Sequence, residues 1–325
     1  VVSGDALVSA NDRAGLFELI AKAKQLGLTP VAFALNEAAA PDLIQRGASR
    51  VVVAQGAHLE SHLAGPVVDA LAAAQKDANA PFVFLPATRR GKEVAAMLGA
   101  KLDAAVVTGA QTAKEEDGKL VFERMFLGGK ALAKEVPTSA VTVVTFPPRS
   151  TEPLPADPGR KGEVKRLAVQ TRDPKVKVVA RKPKEDSGVN LEAAPIVVGA
   201  GRGFKSKEDL KLAFDLAATL GGQVGCSRPL ATDLGWLTDE YWIGLSGKEV
   251  KPKAYLAVGI SGQIQHTTGI RNSKLIVAIN TNKDAPIFKM ADYGIVGDLY
   301  KVLPALNEAV AKQMGKPPTK GSKVP

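Results

Sequence analysis

The feature that most restricts this chain is a series of short apolar runs that stop on glycine or a small polar residue. In the second half they include PIVVGAGRG (195–203), AYLAVGISG (254–262) and KLIVAIN (274–280), with GCSRP (225–229) closing another. Runs of this length, apolar throughout rather than alternating, suit strands buried on both faces of a parallel sheet. In such sheets ligands bind beyond the carboxyl strand ends, beside helix N-termini that favour anions. Small residues there let backbone approach a ligand, and a Ser-Gly turn with free N–H groups can cup a phosphate.

The first half repeats the alternation of strand and helix. Asn11 is placed to cap a helix whose Leu16, Leu19, Ile20, Ala23 and Leu26 share one face. Strands are expected at Val31–Leu35, Val51–Ala54, PFVFLP (81–86) and Ala104–Thr108. Helices fall between them, one ending near Arg46, one over Pro66–Gln75 and one from about Gly91. This βα repeat predicts a parallel sheet covered by helices on both faces. From Thr112 to Val144 the pattern becomes hairpin-like, around Asp117-Gly118 and Gly128-Gly129. The Pro-rich PPRSTEPLPADPGRKG (147–162) reads as exposed, because Arg166–Gln170 and Val176–Ala180 still look like strands. The polar, turn-prone EDSGVNLEA (185–193) is the better border. The expectation is therefore α/β, with domains at 1–190 and 191–325, each a mostly parallel sheet flanked by helices. The second is Rossmann- or flavodoxin-like.

A chain of 325 residues is long for one domain. No apolar run approaches the ~18 residues of a membrane span, so no membrane insertion is expected. The opening VVSGD already looks like a strand and carries no secretory leader, so an initiator methionine and a few residues are expected to precede it. One cysteine, Cys226, excludes an intramolecular disulfide and fits a reducing, cytoplasmic compartment, or a mitochondrial matrix in a eukaryote. The net charge of +10 is concentrated: Arg160–Lys184 holds ten Lys/Arg against two acids, and the tail from Lys312 adds four lysines. A basic connector reads first as solvated surface and next as a lure for acidic protein partners. With 5% aromatic residues there is little stacking surface, and no nucleic-acid partner is expected.

Individual residues leave alternatives open. In GAGRGFKSKEDL (199–210) the glycines suit either a phosphate or a tight turn, and Ser206 with Asp209 forms a capping box. The Ser227–Arg228 pair suits a phosphate, a flavin ring or a surface turn. Cys226 reads as a small buried residue, and Trp236 and Trp242 read as packing. His58 and His62 are four apart but have no third metal ligand in view. No Ser-His-Asp set, P-loop or paired carboxylates stand out; in a site that holds a redox cofactor, that absence favours an electron carrier over a dehydrogenase doing its own substrate chemistry.

GISGQIQH (259–266) together with ADYGIVGDLYKVLPAL (291–306) resembles the C-terminal signature of the α subunit of electron-transfer flavoproteins. The run from Ile196 to Leu306 resembles that family's FAD-binding domain, and the residues upstream resemble its N-terminal, nucleotide-hydrolase-like domain more loosely. The resemblance implies that Arg202 and Ser227 contact FAD and that Arg228 sits by the isoalloxazine. YWIGLSGKEV (241–250) would wrap the flavin edge through Ile243, Gly244, Leu245 and Ser246. Ser246 keeps a hydroxyl for flavin N5, whereas Leu245 stands where the family often has glutamine and lacks the amide. Ser261, Gly262, Gln263, Ile264 and Gln265 would hold the pyrophosphate, with His266 reaching the isoalloxazine O2 side. Asn280, Asp298 and Leu299 match positions that touch the ribityl–adenosine part. For Asp298, an acid complementing a helix dipole is an equally good reading. The family pairs with a β subunit. It accepts electrons from flavin dehydrogenases such as the acyl-CoA dehydrogenases of fatty-acid β-oxidation and delivers them to a quinone oxidoreductase. GCSRP and VGDLYKVLPAL look closer to the bacterial branch associated with nitrogen fixation, carnitine metabolism and NADH-dependent bifurcation. A self-sufficient flavin or nicotinamide oxidoreductase is the rival class.

Overall fold

A computed structural model describes residues 3–61, 63–180 and 188–325. His62 and the first residues of the expected border at 185–193 lie outside the described residues. The chain forms two compact units, Val1–Lys182 and Pro183–Pro325.

In the first unit, strands β1 (Asp5–Val8), β2 (Thr29–Ala34), β3 (Arg50–Gln55) and β4 (Phe82–Pro86) alternate with helices α1 (Arg13–Gln25), α2 (Ala40–Gln45) and α3 (Ala64–Ala78). Helix α4 (Arg89–Leu102) follows, then β5 (Ala105–Val107), β6 (Ala110–Glu116), β7 (Lys119–Phe126), β8 (Ala131–Glu135), β9 (Thr142–Phe146) and β10 (Glu163–Ala168). Seven strands form a wholly parallel sheet in the order β10-β3-β2-β1-β4-β9-β5. Strand alternation divides the core between its two faces. Ala6 and Val8 pack with Leu16, Ile20 and Leu43, while Leu7 packs with Val68, Leu71, Val94 and Leu98. The hairpins of β6-β7-β8 form a separate antiparallel sheet. Asp117 (φ 51°) and Gly118 (φ 75°) supply the two left-handed residues that a two-residue hairpin turn needs.

Three local expectations need correction. Asp12, not Asn11, caps α1: its carboxylate accepts from the Gly15 N–H at 2.7 Å and its charge complements the helix dipole. The strand expected at Arg166–Gln170 begins earlier, as β10. Val176–Ala180 forms no strand, because β10 already ends the sheet and Val179 is 92% exposed, with no face to bury. Much of the basic charge here is paired with acid, as in Lys165–Asp77 (2.6 Å) and the two-pronged Arg166–Glu37 contact (2.7 and 2.8 Å).

Asp69 on α3, only 7% exposed, accepts from Lys101 Nζ at 2.9 Å, from the Arg172 N–H at 2.9 Å and from Arg172 Nη2 at 2.7 Å. The Arg172 hydrogen bond holds its carboxyl well below the usual range, so the clamp persists above pH 4 and weakens only in strong acid. Both cations reach solvent and stay hydrated without it. Asp69→Asn should therefore cost the first unit roughly 1–3 kcal/mol at pH 7, with a smaller difference near pH 2, by urea denaturation.

The second unit holds β11 (Ile196–Ala200), α5 (Lys211–Leu220), β12 (Gln223–Cys226), β13 (Ala254–Val258), α6 (Ile264–Thr267), β14 (Ile276–Asn280), β15 (Tyr293–Val296) and α7 (Leu299–Gln313). Its five strands are all parallel, in the order β12-β11-β13-β14-β15, the doubly wound 2-1-3-4-5 arrangement. One face is closed by α5 and α7 through Leu216, Ala217, Leu299 and Leu303. The other packs Tyr255 against Leu191, Ile243, Ile270 and Ile287, from largely irregular segments. The Ser206–Asp209 capping box forms, each backbone N–H reaching the other side chain (3.1 and 3.4 Å). Among the described residues no helix is long and apolar enough to cross a membrane.

Candidate functional site

In the 2-1-3-4-5 order the chain reverses direction across the sheet between β11 and β13, the switch point beside which doubly wound sheets bind ligands. At this point the loops cross at backbone contact. The Gly201 N–H donates to the Val258 carbonyl (2.9 Å) and the Gly203 N–H to the Gly259 carbonyl (3.0 Å). A Cβ at Gly201 would stand 2.3 Å from the Gly259 oxygen, so the crossing tolerates no side chain.

Beyond the crossing is a cleft of about 480 Å³, within the range of small-molecule sites. Of the residues singled out from sequence it gathers Arg202, Ser227, Arg228, Ile243, Leu245, Ser246, Ser261, Gln263, Gln265, His266 and Asn280. Ser227, Ile243 and His266 are buried in its floor, while Arg202, Arg228, Leu245, Ser246 and Gln265 are exposed at its rim. Two arginines and no carboxylate line it. Asn280 also braces the site, donating to the Ile260 carbonyl (3.0 Å) and accepting from the Asn282 N–H (2.9 Å). The 241–250 segment is pinned by Ile243 N–H to the Cys226 carbonyl (3.0 Å) and Leu245 N–H to the Gln265 carbonyl (2.7 Å).

Five expected residues do not line the cleft. Gly262 and Gly244 shape its loops at φ 90° and 148°. Ile264 begins α6. Asp298 is the N-cap of α7, accepting from the Tyr300 N–H at 3.0 Å, and Leu299 is buried in the core behind. Gly203, Pro229, Trp242, Gly259 and Ile260 line the cleft without having been singled out as site residues. Gly203 and Gly259 carried a signal, as glycines at strand ends. Trp242 carried none, yet the Arg228 guanidinium lies over its ring at 5.7 Å.

The floor is electrically quiet. Next to the floor residue Ser227, outside the lining, burial pushes the Cys226 thiol up to about 12, so it stays protonated. Burial lowers the His266 imidazole to about 4, partly offset by the Ile243 carbonyl, and the ring is neutral at pH 7. An unfolded histidine near 6.5 binds its proton first as pH falls, so the native state loses stability between pH 6.5 and 4 and keeps it above. That loss should reach about 3 kcal/mol at pH 4. His266→Gln should flatten this part of the pH profile of unfolding in the second unit, followed by tryptophan fluorescence. His58, four residues from His62, has Asp173 for company (Nε2 to Oδ1, 3.7 Å), and no described group of three or more residues could hold a metal.

A parallel sheet with a cationic cleft at its switch point is the ligand-binding arrangement of the doubly wound class of α/β protein. Comparison with known proteins makes it specific. Residues 13–171 match the electron transfer flavoprotein domain and residues 190–271 the electron transfer flavoprotein FAD-binding domain. Protein FixB of Salmonella typhimurium (strain LT2) is 38% identical over 295 residues, 91% of this chain and 94% of that protein. Protein FixB of Shigella flexneri is 39% identical over 298 residues, with the same coverage. The chain belongs to the electron-transfer flavoprotein alpha family.

Proposed function

We propose that the cleft binds FAD and that this chain is the alpha subunit of a heterodimer with an electron-transfer flavoprotein beta subunit. The heterodimer collects electrons in the cytoplasm from flavin dehydrogenases, such as acyl-CoA dehydrogenases, and passes them to a quinone oxidoreductase. The residues fit a flavin dinucleotide on structural grounds. Among the described residues the successive N–H groups of Ser261, Gly262 and Gln263 have no acceptor, which suits a pyrophosphate. Arg202 and Arg228 balance its charge with no acid opposing them. Among the described residues His266 Nδ1 is buried and has no hydrogen-bond partner. Ser246 and Gln265 add neutral hydrogen-bonding groups at the rim. Bound there, the flavin supplies reversible one- and two-electron transfer. The chain's own residues bind and orient it, and Ile243 and Trp242 exclude water from one wall.

The observation that carries this reading is a cofactor-sized, cationic cleft without a carboxylate, lysine or thiol among its lining residues. Its one histidine is neutral and buried. Such a site can hold a redox group but has little to offer as a general acid or base for a substrate. The test is co-expression with the beta subunit, followed by an absorbance spectrum and flavin quantitation. A yellow complex with FAD reducible by an acyl-CoA dehydrogenase is expected. A colourless complex, or NAD(P)H turnover by this chain alone, would refute the reading.

A further inference from the structure

We propose that Tyr255 is a positioning residue that fixes His266 as the neutral tautomer with its proton on Nδ1, so that the ring offers the cleft a hydrogen-bond donor. This deepens the FAD reading and rests on it for the ligand, a carbonyl oxygen of the flavin ring system. The Tyr255 hydroxyl lies 2.9 Å from His266 Nε2, and both residues are buried. No other partner of that hydroxyl exists among the described residues. Burial pushes the phenol far up, so it keeps its proton, and a buried O–H without an acceptor is costly. The hydroxyl therefore donates to Nε2, which must be the lone-pair nitrogen, and the ring proton resides on Nδ1. The Ile243 carbonyl, on a residue that lines the cleft, stands near enough to favour a proton on this ring. Among the described residues Nδ1 has no partner at hydrogen-bond geometry, the Ile243 carbonyl included, so this N–H is left for a ligand acceptor. The opposite tautomer would leave the phenol proton unpaired and point a lone pair at a carbonyl oxygen.

The fold makes room for this contact. A Cβ on Gly199 would stand 1.9 Å from the Tyr255 oxygen, so glycine on β11 is what lets the hydroxyl lie across the sheet toward α6. Phenylalanine would serve the apolar packing of Tyr255 equally well. The hydroxyl is explained by His266.

The test uses the full-length chain, isotopically labelled at histidine, with and without FAD. Only three histidines are present, so the His266 ring is identified by its loss in His266→Gln. Long-range proton–nitrogen NMR should show the wild-type ring as the Nδ1–H tautomer at pH 7, in the FAD-free protein as well. Tyr255→Phe should shift it to Nε2–H or a mixture and weaken FAD binding roughly three- to tenfold, the worth of one hydrogen bond. Melting curves establish that the variant is folded, and the wild-type tautomer decides the point even if it is not. An Nε2–H tautomer in the wild type, or an unchanged ring in folded Tyr255→Phe, would overturn the proposal. If the wild type takes up no FAD even when co-expressed with the beta subunit, the flavin reading fails, while the tautomer in the FAD-free chain still decides the role of Tyr255.

Discussion

Replacing Gly262 with alanine should unfold or severely loosen the second unit, at a cost of about 3–5 kcal/mol, with loss of retained FAD. Two independent effects add. Gly262 sits at φ 90°, a left-handed conformation that a residue with a Cβ adopts only under strain. The added Cβ would stand 2.2 Å from the Ile287 nitrogen and 2.5 Å from its Cα. These are backbone atoms, and the Ile287 N–H is held by the Ser261 carbonyl at 3.0 Å, so no rotamer change relieves the contact. Gly221→Ala is the control: it also has positive φ (69°), but nothing lies within 4 Å of its Cβ. It should cost only about 1 kcal/mol. Both tryptophans, Trp236 and Trp242, lie in the second unit, so their fluorescence in urea reports this unit alone. Equal midpoints for the two variants would show that the contact between residues 262 and 287 is slack.

What could be read from the sequence follows from burial. Strands covered on both faces are uniformly apolar, and Ile196–Ala200 or Ala254–Val258 stands out from its surroundings without any knowledge of partners. The edge is different. β10 and the Val176–Ala180 run look alike in sequence, and only the presence of β3 as a neighbour makes the first a strand. The same contrast holds at the cleft. Residues on its loops announce themselves as Gly, Ser, Arg and Asn at strand ends. Trp242 and Tyr255 do not, because an aromatic in an apolar context reads as packing. The role of Tyr255 depends on a hydroxyl reaching across β11 at Gly199, which is a property of strand register and not of any local pattern. Asp298 shows the converse: an acid at a helix start that is satisfied locally, by the Tyr300 N–H.

Arg228→Ala should make the bound flavin harder to reduce, lowering its midpoint potential by roughly 20–60 mV. Electrons entering the cleft add negative charge, and a fixed cation at its rim favours the reduced state. At an effective dielectric of about 20, unit charges some 5 Å apart interact by roughly 3 kcal/mol. Arg228 is exposed, so solvent and salt screen it, and about 1–3 kcal/mol is the reasonable span. For a two-electron couple ~1.4 kcal/mol corresponds to ~30 mV. The side chain is held in place by the Trp242 ring at 5.7 Å and by its position immediately before Pro229. Lysine should recover part of the shift, as a point charge without the planar fork that stacks on indole. Trp242→Phe should shift the potential less than Arg228→Ala, because it loosens the guanidinium without removing the charge. Raising ionic strength should narrow the gap between wild type and Arg228→Ala, which an effect of packing alone would not do. Spectroelectrochemical titration of the FAD-loaded heterodimer measures all of these. An unchanged potential in fully loaded Arg228→Ala protein would place the guanidinium in solvent, away from the redox group.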